Sequence, residues 1–346
     1  MESIIEKDYI HIVLSPYDLT DDYNRHAGVT LLSILKYSSK PVIAHILYDD
    51  TLSQGKEDSV EYNKTCYKNI AEKYNCSILF HHIKIPEWIH EHKCTDYWSP
   101  GALLRLWIPD ILPDVDKIIY FDCDMVIRTD ISNIWNIPMD NYYIGACKDH
   151  GSIEIYKNKR NYVPNKIIDE YFNTGLLIMN LQLIRKRQKS FSDLALSYIF
   201  KHPKNLFPDQ DMLNWYCNGE YQRLERKYNI PSFCKDVMEF QDDCIIHYTG
   251  GKPWLLYSGE VDYFYWEILA ETPWGEDKWK FAQYLRSAPD YQKSLPFFQK
   301  SYYKLETGGA INRLRGLIRF TTSIWINSFH ALRRYIKIYK IGKINL

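Results

Sequence analysis

The stretch "KIIYFDCDMVIRTD", Lys117 to Asp130, decides the fold. Ile118, Ile119, Tyr120 and Phe121 run into two carboxylates, Asp122 and Asp124, separated only by Cys123. A near-continuous apolar run is what a central parallel strand covered on both faces shows, whereas a half-wet strand alternates. Two like charges at its end repel each other, and a divalent cation removes that cost. Oxygen ligands with one imidazole suit Mn²⁺ or Mg²⁺ better than Zn²⁺, and these ions commonly leave positions for phosphate oxygens. The plainer alternative is that one carboxylate caps a turn and the other is solvated.

Working outward, three more β-rich runs precede this strand: "YIHIVL" from Tyr9, "VIAHILY" from Val42 and "CSILFHHI" from Cys76. Between them lie "HAGVTLLSILKY", where Val29, Leu32, Ile34 and Leu35 share a helical face, and a polar helix over about Val60 to Tyr74. The β-α-β-α-β alternation predicts a parallel sheet whose ligands bind beyond the C-terminal strand ends, where Asp122 and Asp124 fall. "GALLRLWIPDILP" reads as a helix stopped by prolines. Downstream, "YFNTGLLIMNLQLIRK" reads as a buried strand leading into a helix, and "FPDQDMLNWYCNG" as a helix opened by Asp209 and closed by Gly219. "DDCIIHYTGGKPW" reads as a short strand ending in His247 before a Gly-Gly turn. No G-x-G-x-x-G follows the first strand, which argues against an ordinary dinucleotide-binding half.

The 346 residues are 46% hydrophobic and 25% charged, so the chain is globular material and not a disordered one. Aromatic residues reach 15%, with 29 Tyr and 10 Trp, which suits sugar surfaces as well as cores. Cys66, Cys76, Cys94, Cys123, Cys147, Cys217, Cys234 and Cys244 include no C-x-x-C pair, so reduced thiols are expected in place of a zinc site or a disulfide framework. "MESIIEKDYIHIVL" lacks the apolar core of a signal peptide and no window suits a spanning helix, so a cytoplasmic protein is expected.

The net charge of zero hides a segregation. After Glu306 there are eight basic residues and no acidic one; taking them from 43 basic residues leaves 35 against 43 acidic ones, a net of −8 on the rest. From Asn312 onward a helical plot puts Arg315, Arg319, Arg333, Lys337 and Lys340 in one arc, opposite Leu317, Ile318, Ile324, Leu332, Tyr335, Ile336 and Tyr339. Such a basic amphipathic tail, carrying Trp325 and Phe329, reads as a contact to an anionic membrane surface on the inner face. Packing on the body is the alternative; no nucleic-acid module is recognisable, so no nucleic-acid partner is expected.

A D-x-D ending an apolar strand serves two enzyme classes: haloacid-dehalogenase-like phosphatases, with Asp122 as nucleophile, and metal-dependent nucleotide-sugar glycosyltransferases. The phosphatases usually carry the motif near the start of their core, and here three strands precede it. "RLWIPDILPDVDKIIYFDCDMVI", "YFNTGLLIMNL", "FPDQDMLN" and "HYTGGKPW", in that order, resemble the signature of glycosyltransferase family 8 over roughly residues 8 to 260. The resemblance implies an α/β chain of GT-A fold, a single Rossmann-like nucleotide-sugar-binding domain with a mixed, mostly parallel sheet, followed by a helical basic C-terminal tail. We expect a catalytic domain over 1–270, a helical extension over 271–310 and the basic amphipathic tail over 311–346.

It further implies a Mn²⁺ cofactor, with Mg²⁺ as the alternative, held by Asp122, Asp124 and His247. The donor would meet Asp22, Tyr23, Arg105, Asp122, Cys123, Gly250 and Lys252: Arg105 and Lys252 at the diphosphate, Gly250 where the backbone must come close, Asp22 and Tyr23 at the nucleoside. An ion pair between Arg105 and a core aspartate is the other reading of that arginine. Asp149, Asn173, Gln210 and Asp211 match catalytic positions around the donor sugar. Since an amide oxygen is a poor nucleophile, Gln210 favours a same-face retaining mechanism over a double displacement, with an adduct on Asp211 or Gln210 as the alternative. The activity implied is transfer of galactose or glucose from a UDP-hexose to a glycan or glycolipid acceptor, such as lipopolysaccharide or a lipid-linked oligosaccharide. A phosphatase and a non-catalytic sugar-binding protein are the competing readings.

Overall fold

The computed structural model describes residues 9–17, 22–49, 57–91, 99–158, 165–234, 243–249, 251–254 and 261–275. Gly250, the basic tail and all of the expected 271–310 extension beyond residue 275 lie outside the described residues. The chain forms two compact units, Met1–His247 and Tyr248–Leu346.

In the first unit β1 (Ile10–Leu14), α1 (Asp22–Tyr37), β2 (Val42–Tyr48), α2 (Glu57–Ala71) and β3 (Cys76–His82) follow the expected alternation. Then come β4 (Lys117–Phe121), β5 (Met125–Arg128), β6 (Ile144–Lys148), β7 (Phe172–Asn180), β8 (Gln222–Arg223), β9 (Ile230–Pro231) and β10 (Cys244–His247). Seven of them form one sheet in the order β3-β2-β1-β4-β7-β6-β8, and β5-β10-β9 form a second. Four of the six neighbouring pairs in the large sheet are parallel; β7 runs antiparallel to both β4 and β6. The expected mixed, mostly parallel sheet is therefore present. Its centre is sealed: Ile118, Ile119 and Phe121 on β4 and Leu176, Leu177, Ile178 and Met179 on β7 are 0% exposed.

The chain moves from β1 outward to β2 and β3, then returns to lay β4 on the other side of β1. A topological switch point thus opens beyond the carboxyl ends of β1 and β4, the crevice where sheets of this kind bind ligands. Asp122 and Asp124 occupy the break between β4 and β5. Polar groups of α1 hold that break open: Thr30 Oγ1 lies 3.1 Å from Cys123 O and 2.8 Å from Met125 O, and Ile127 N donates to Ser33 Oγ at 3.0 Å. β10 then pairs antiparallel with β5, setting His247 opposite Met125, one residue from Asp124.

Two local expectations change. "PGALLRLW" is a 3₁₀ helix over Pro100–Trp107, continued by one α turn, Ile108–Ile111. Pro109 has no N–H to offer Arg105 O four residues back, so that carbonyl takes Ile108 N–H and the winding tightens. The Pro208–Cys217 helix is not capped by Asp209: its N-cap is Phe207, with Pro208 in the first turn, where a missing N–H costs nothing. It ends with Asn218 at φ 54° and Gly219 at φ 85°, left-handed positions that glycine adopts freely.

In the second unit Tyr248 Oη donates to Val261 O at 2.7 Å, ahead of the Asp262–Ala270 helix, and Trp254 lies 5.2 Å from Tyr265 between ring centroids. No helix among the described residues is long and apolar enough to cross a membrane.

Candidate active site

Three ligand atoms converge at the switch point. His247 Nε2 lies 3.3 Å from Asp124 Oδ1 and 3.7 Å from Asp122 Oδ2, and one donor atom from each residue falls within 4.8 Å of the others. Asp124 and His247 are buried and Asp122 is half-buried, so a hard cation there would be partly shielded from water.

Chemistry at the far side of the imidazole fits a cation. Asn173 Oδ1 receives the backbone N–H of Gly175 at 2.9 Å, so it is unambiguously an acceptor. The Asn229 atom facing it at 2.8 Å is therefore the amide nitrogen, and Asn229 turns its oxygen to His247 Nδ1 at 2.9 Å. Nδ1 must carry the proton. Nε2 is left to present a lone pair, or an added proton, to two carboxylates, and a lone pair there requires a cation between them. Gly175 makes the close packing possible, because a Cβ at this position would come 2.4 Å from His247 Cε1.

Arg105 is 5% exposed and braces Asp122 from behind. Its Nη2 donates to Asp122 Oδ1 at 2.8 Å, its Nη1 to Thr174 O at 2.7 Å and its Nε to Ala102 O at 2.9 Å, while Asp209 Oδ2 stands 3.3 Å from Nε. Burial opposes its charge, but Asp122, Tyr120 and Asp209 outweigh it and hold the guanidinium protonated. The ion pair expected as one reading of Arg105 is formed, with Asp122 and Asp209 as its partners. Tyr120 Oη adds a hydrogen bond to Asp122 Oδ1 at 2.9 Å and meets Ser15 Oγ at 2.9 Å.

Beside the carboxylates lies a polar wall. Asp149 Oδ2 accepts from Asn173 Nδ2 at 3.1 Å, Gln210 Nε2 at 3.1 Å and Ser152 Oγ at 2.8 Å, and its Oδ1 from Ser152 N at 2.9 Å. Gln210 Oε1 accepts Thr174 N–H at 3.1 Å. Asp211 stands apart from this group. It is 0% exposed and its carboxylate accepts from Tyr156, Tyr171 and, at 3.2 Å, Phe207 N. Burial raises its pKa to about 7 against the pull of the two tyrosine hydroxyls. A side chain one helix position from Gln210 points about 100° away, which is why the adjacent residues of "DQD" part company.

Among the expected donor contacts, Cys123 is buried, its thiol pKa pushed well up by burial, and it presents backbone at the break. Asp22 opens α1, and Tyr23 is 38% exposed with its ring edge-on to His26. Lys252 belongs to the second unit, where its Nζ donates to Tyr248 O at 2.9 Å. Sequence reading missed Asn229, Ser152 and the Tyr156–Tyr171 pair; Thr174, beside Asn173 in "NTG", was within reach as a small polar residue in an otherwise apolar strand.

A family model described as glycosyl transferase family 8 matches residues 15–257. A lipopolysaccharide 1,2-glucosyltransferase of Escherichia coli K12 is 28% identical over 312 residues, 84% of each chain. A putative glycosyltransferase of Haemophilus influenzae is 26% identical over 222 residues, and the match spans 63% of each chain. The solved galactosyltransferase LgtC, in complex with donor and acceptor sugar analogs, superposes with a TM-score of 0.63 at 19% identity, covering 79% of this chain and 99% of that one, a likeness of fold.

Proposed function

Since the chain belongs to glycosyl transferase family 8, we propose that it moves a hexose, galactose or glucose, from a UDP-sugar to a surface-glycan acceptor with retention of configuration, using Mn²⁺ or Mg²⁺ held by Asp122, Asp124 and His247. The observation that carries the reading is the convergence of two carboxylates and an imidazole nitrogen at the switch point of the sheet. Bound there, a divalent ion would supply charge neutralisation for a leaving diphosphate.

The protein's own groups do the rest. Arg105 and Tyr120 fix Asp122 through Oδ1 and leave Oδ2 toward His247. Asp149, Asn173 and Gln210 offer an ordered hydrogen-bonding wall for sugar hydroxyls. Asp149 already accepts four donors, Asp211 is enclosed by three, Asp209 is paired with Arg105, and the Gln210 oxygen is engaged by Thr174. None is poised as a nucleophile, which favours same-face displacement: the anomeric carbon–oxygen bond to diphosphate breaks as the acceptor oxygen bonds on that face, and the acceptor proton passes to the departing phosphate oxygen. Asp211, by this reading, is scaffold and not a catalytic residue.

The lipopolysaccharide named for the Escherichia coli relative supports a lipopolysaccharide or lipid-linked oligosaccharide acceptor here. Contact of residues 311–346 with an anionic membrane surface rests on their charge pattern alone. A phosphatase reading would need Asp122 as nucleophile, yet two donors hold one of its oxygens and His247 faces the other.

The test is a panel of UDP-sugars with purified protein, in Mn²⁺ and in EDTA, beside Asp124→Ala. Slow metal-dependent hydrolysis of one UDP-hexose, absent in the variant, is the expected result. Cleavage of a simple phosphate ester without UDP-sugar binding would establish the phosphatase, and metal-dependent binding without turnover a sugar-binding protein.

A further inference from the structure

We propose that Asn229 is a positioning residue that fixes the metal-binding face of His247 and ties it to the sugar-binding wall. The proposal rests on the reading of Asp122, Asp124 and His247 as a divalent-cation site. Asn229 is 7% exposed and sits between the Arg226–Tyr228 turn and β9, the strand that pairs with β10 alongside His247. Its backbone N–H is spent on Arg226 O at 3.1 Å, so the side chain is presented from a fixed base. The order of hydrogen bonds then has one direction only. Gly175 N–H fixes Asn173 Oδ1 as acceptor; Asn229 Nδ2 donates to it; Asn229 Oδ1 accepts from His247 Nδ1.

The consequence is that a backbone amide of β7, acting through two asparagines, sets which nitrogen of the imidazole faces the carboxylates. An imidazole free to turn over would present an N–H or a carbon to the cation for part of the time, and outer partners of metal-binding histidines suppress this. The same relay continues from Asn173 Nδ2 to Asp149 and from Asp149 to Gln210. His247 and the wall proposed to hold the donor sugar are thus connected through the side chain of Asn229, and a shift of the ring reaches Asp149 through three hydrogen bonds.

Two substitutions separate these parts. Asn229→Ala removes the acceptor for Nδ1–H and the donor to Asn173. Asn229→Asp keeps an acceptor for Nδ1–H and loses the donor. Mn²⁺ dissociation constants would be read from the free-ion electron paramagnetic resonance signal on the full chain, with Asp124→Ala as control and circular dichroism to certify folding. The expected outcome is that Asn229→Ala weakens Mn²⁺ binding by about 10–100-fold, that Asn229→Asp stays within about threefold of wild type, and that Asn229→Asp nonetheless changes KM or kcat for the donor. Wild-type affinity in a folded Asn229→Ala overturns the proposal, as does equal loss in both variants. Should Asn229→Ala fail to fold, the long-range ¹H–¹⁵N spectrum of histidine-labelled wild type at pH 8, assigned with His247→Gln, decides: Nδ1–H supports the relay and Nε2–H overturns it. If wild type binds no Mn²⁺, or Asp124→Ala binds it equally well, the cation-site reading itself has failed.

Discussion

Replacing Gly175 with alanine tests the packing on which the site depends. The new methyl would sit 2.4 Å from His247 Cε1 and 2.8 Å from Nδ1. Carbon atoms settle at about 3.5–4.0 Å, so the ring or β7 must give way by about 1 Å. Neither side is loose: β7 is pinned by Asp122 N donating to Gly175 O at 2.7 Å, and the ring by Asn229 and the β5–β10 ladder. Overpacking of this kind costs about 1–3 kcal/mol, while a metal ligand tolerates displacement of only about 0.2 Å. The variant should therefore lose about 1–3 kcal/mol in urea unfolding and, still folded, bind Mn²⁺ at least about tenfold more weakly. A Gly175→Ala protein with wild-type stability and wild-type Mn²⁺ affinity would refute the close approach of β7 to His247 and the ligand geometry built on it.

Removing the buried guanidinium in Arg105→Ala should cost about 3–5 kcal/mol in urea unfolding, because Asp209 is left buried and unpaired, and Arg105→Lys should recover only part of it; unchanged stability with lost turnover would instead make Arg105 a donor contact. Asp211→Asn turns an amide nitrogen toward a tyrosine hydroxyl or Phe207 N–H, a cost of about 1–3 kcal/mol, with turnover per folded molecule largely kept; a fully stable and inactive variant would restore Asp211 as nucleophile. Across β1–β3, His11 Nδ1 bonds His45 Nε2 at 3.0 Å and His45 Nδ1 bonds His81 Nε2 at 2.9 Å. Burial, then the neighbouring His81 and His11, pushes the His45 pKa down to about 3. The folded protein then resists a proton the unfolded chain takes near 6.5, so stability holds above pH 6.5 and declines between about 6 and 3, by about 1.4 kcal/mol per pH unit for this group. His45→Gln should flatten that decline in urea unfolding measured from pH 7.5 to 4.5; an unchanged slope would show that His45 is not the group responsible.

Local patterning made β1 to β4, β7 and β10 legible, together with the helices between the first three strands, because period-two and helical patterns repeat with the backbone. The short strands β5, β6, β8 and β9 were not legible, and the last two carry too few residues to show a period. The sequence also placed Asp122 and Asp124 at a strand end, because a buried apolar run can stop in two charges only where the chain leaves the covered part of the sheet. His247 was likewise set at the close of a short apolar strand. The tertiary structure alone decided what each polar residue does. Asp209, Gln210 and Asp211 are consecutive, yet helical geometry sends one to Arg105, one to Asp149 and one into a tyrosine pocket. Arg105 is likewise a brace for Asp122 from 17 residues away. Asn229 reads as an ordinary turn residue, and nothing in its neighbours announces a partner in β7 or β10. Patterns of hydrophobicity record which faces are buried, since burial repeats with the backbone's own period. Partners in a hydrogen-bonded relay are set by contacts between distant segments, which come into register only when the sheet closes around them.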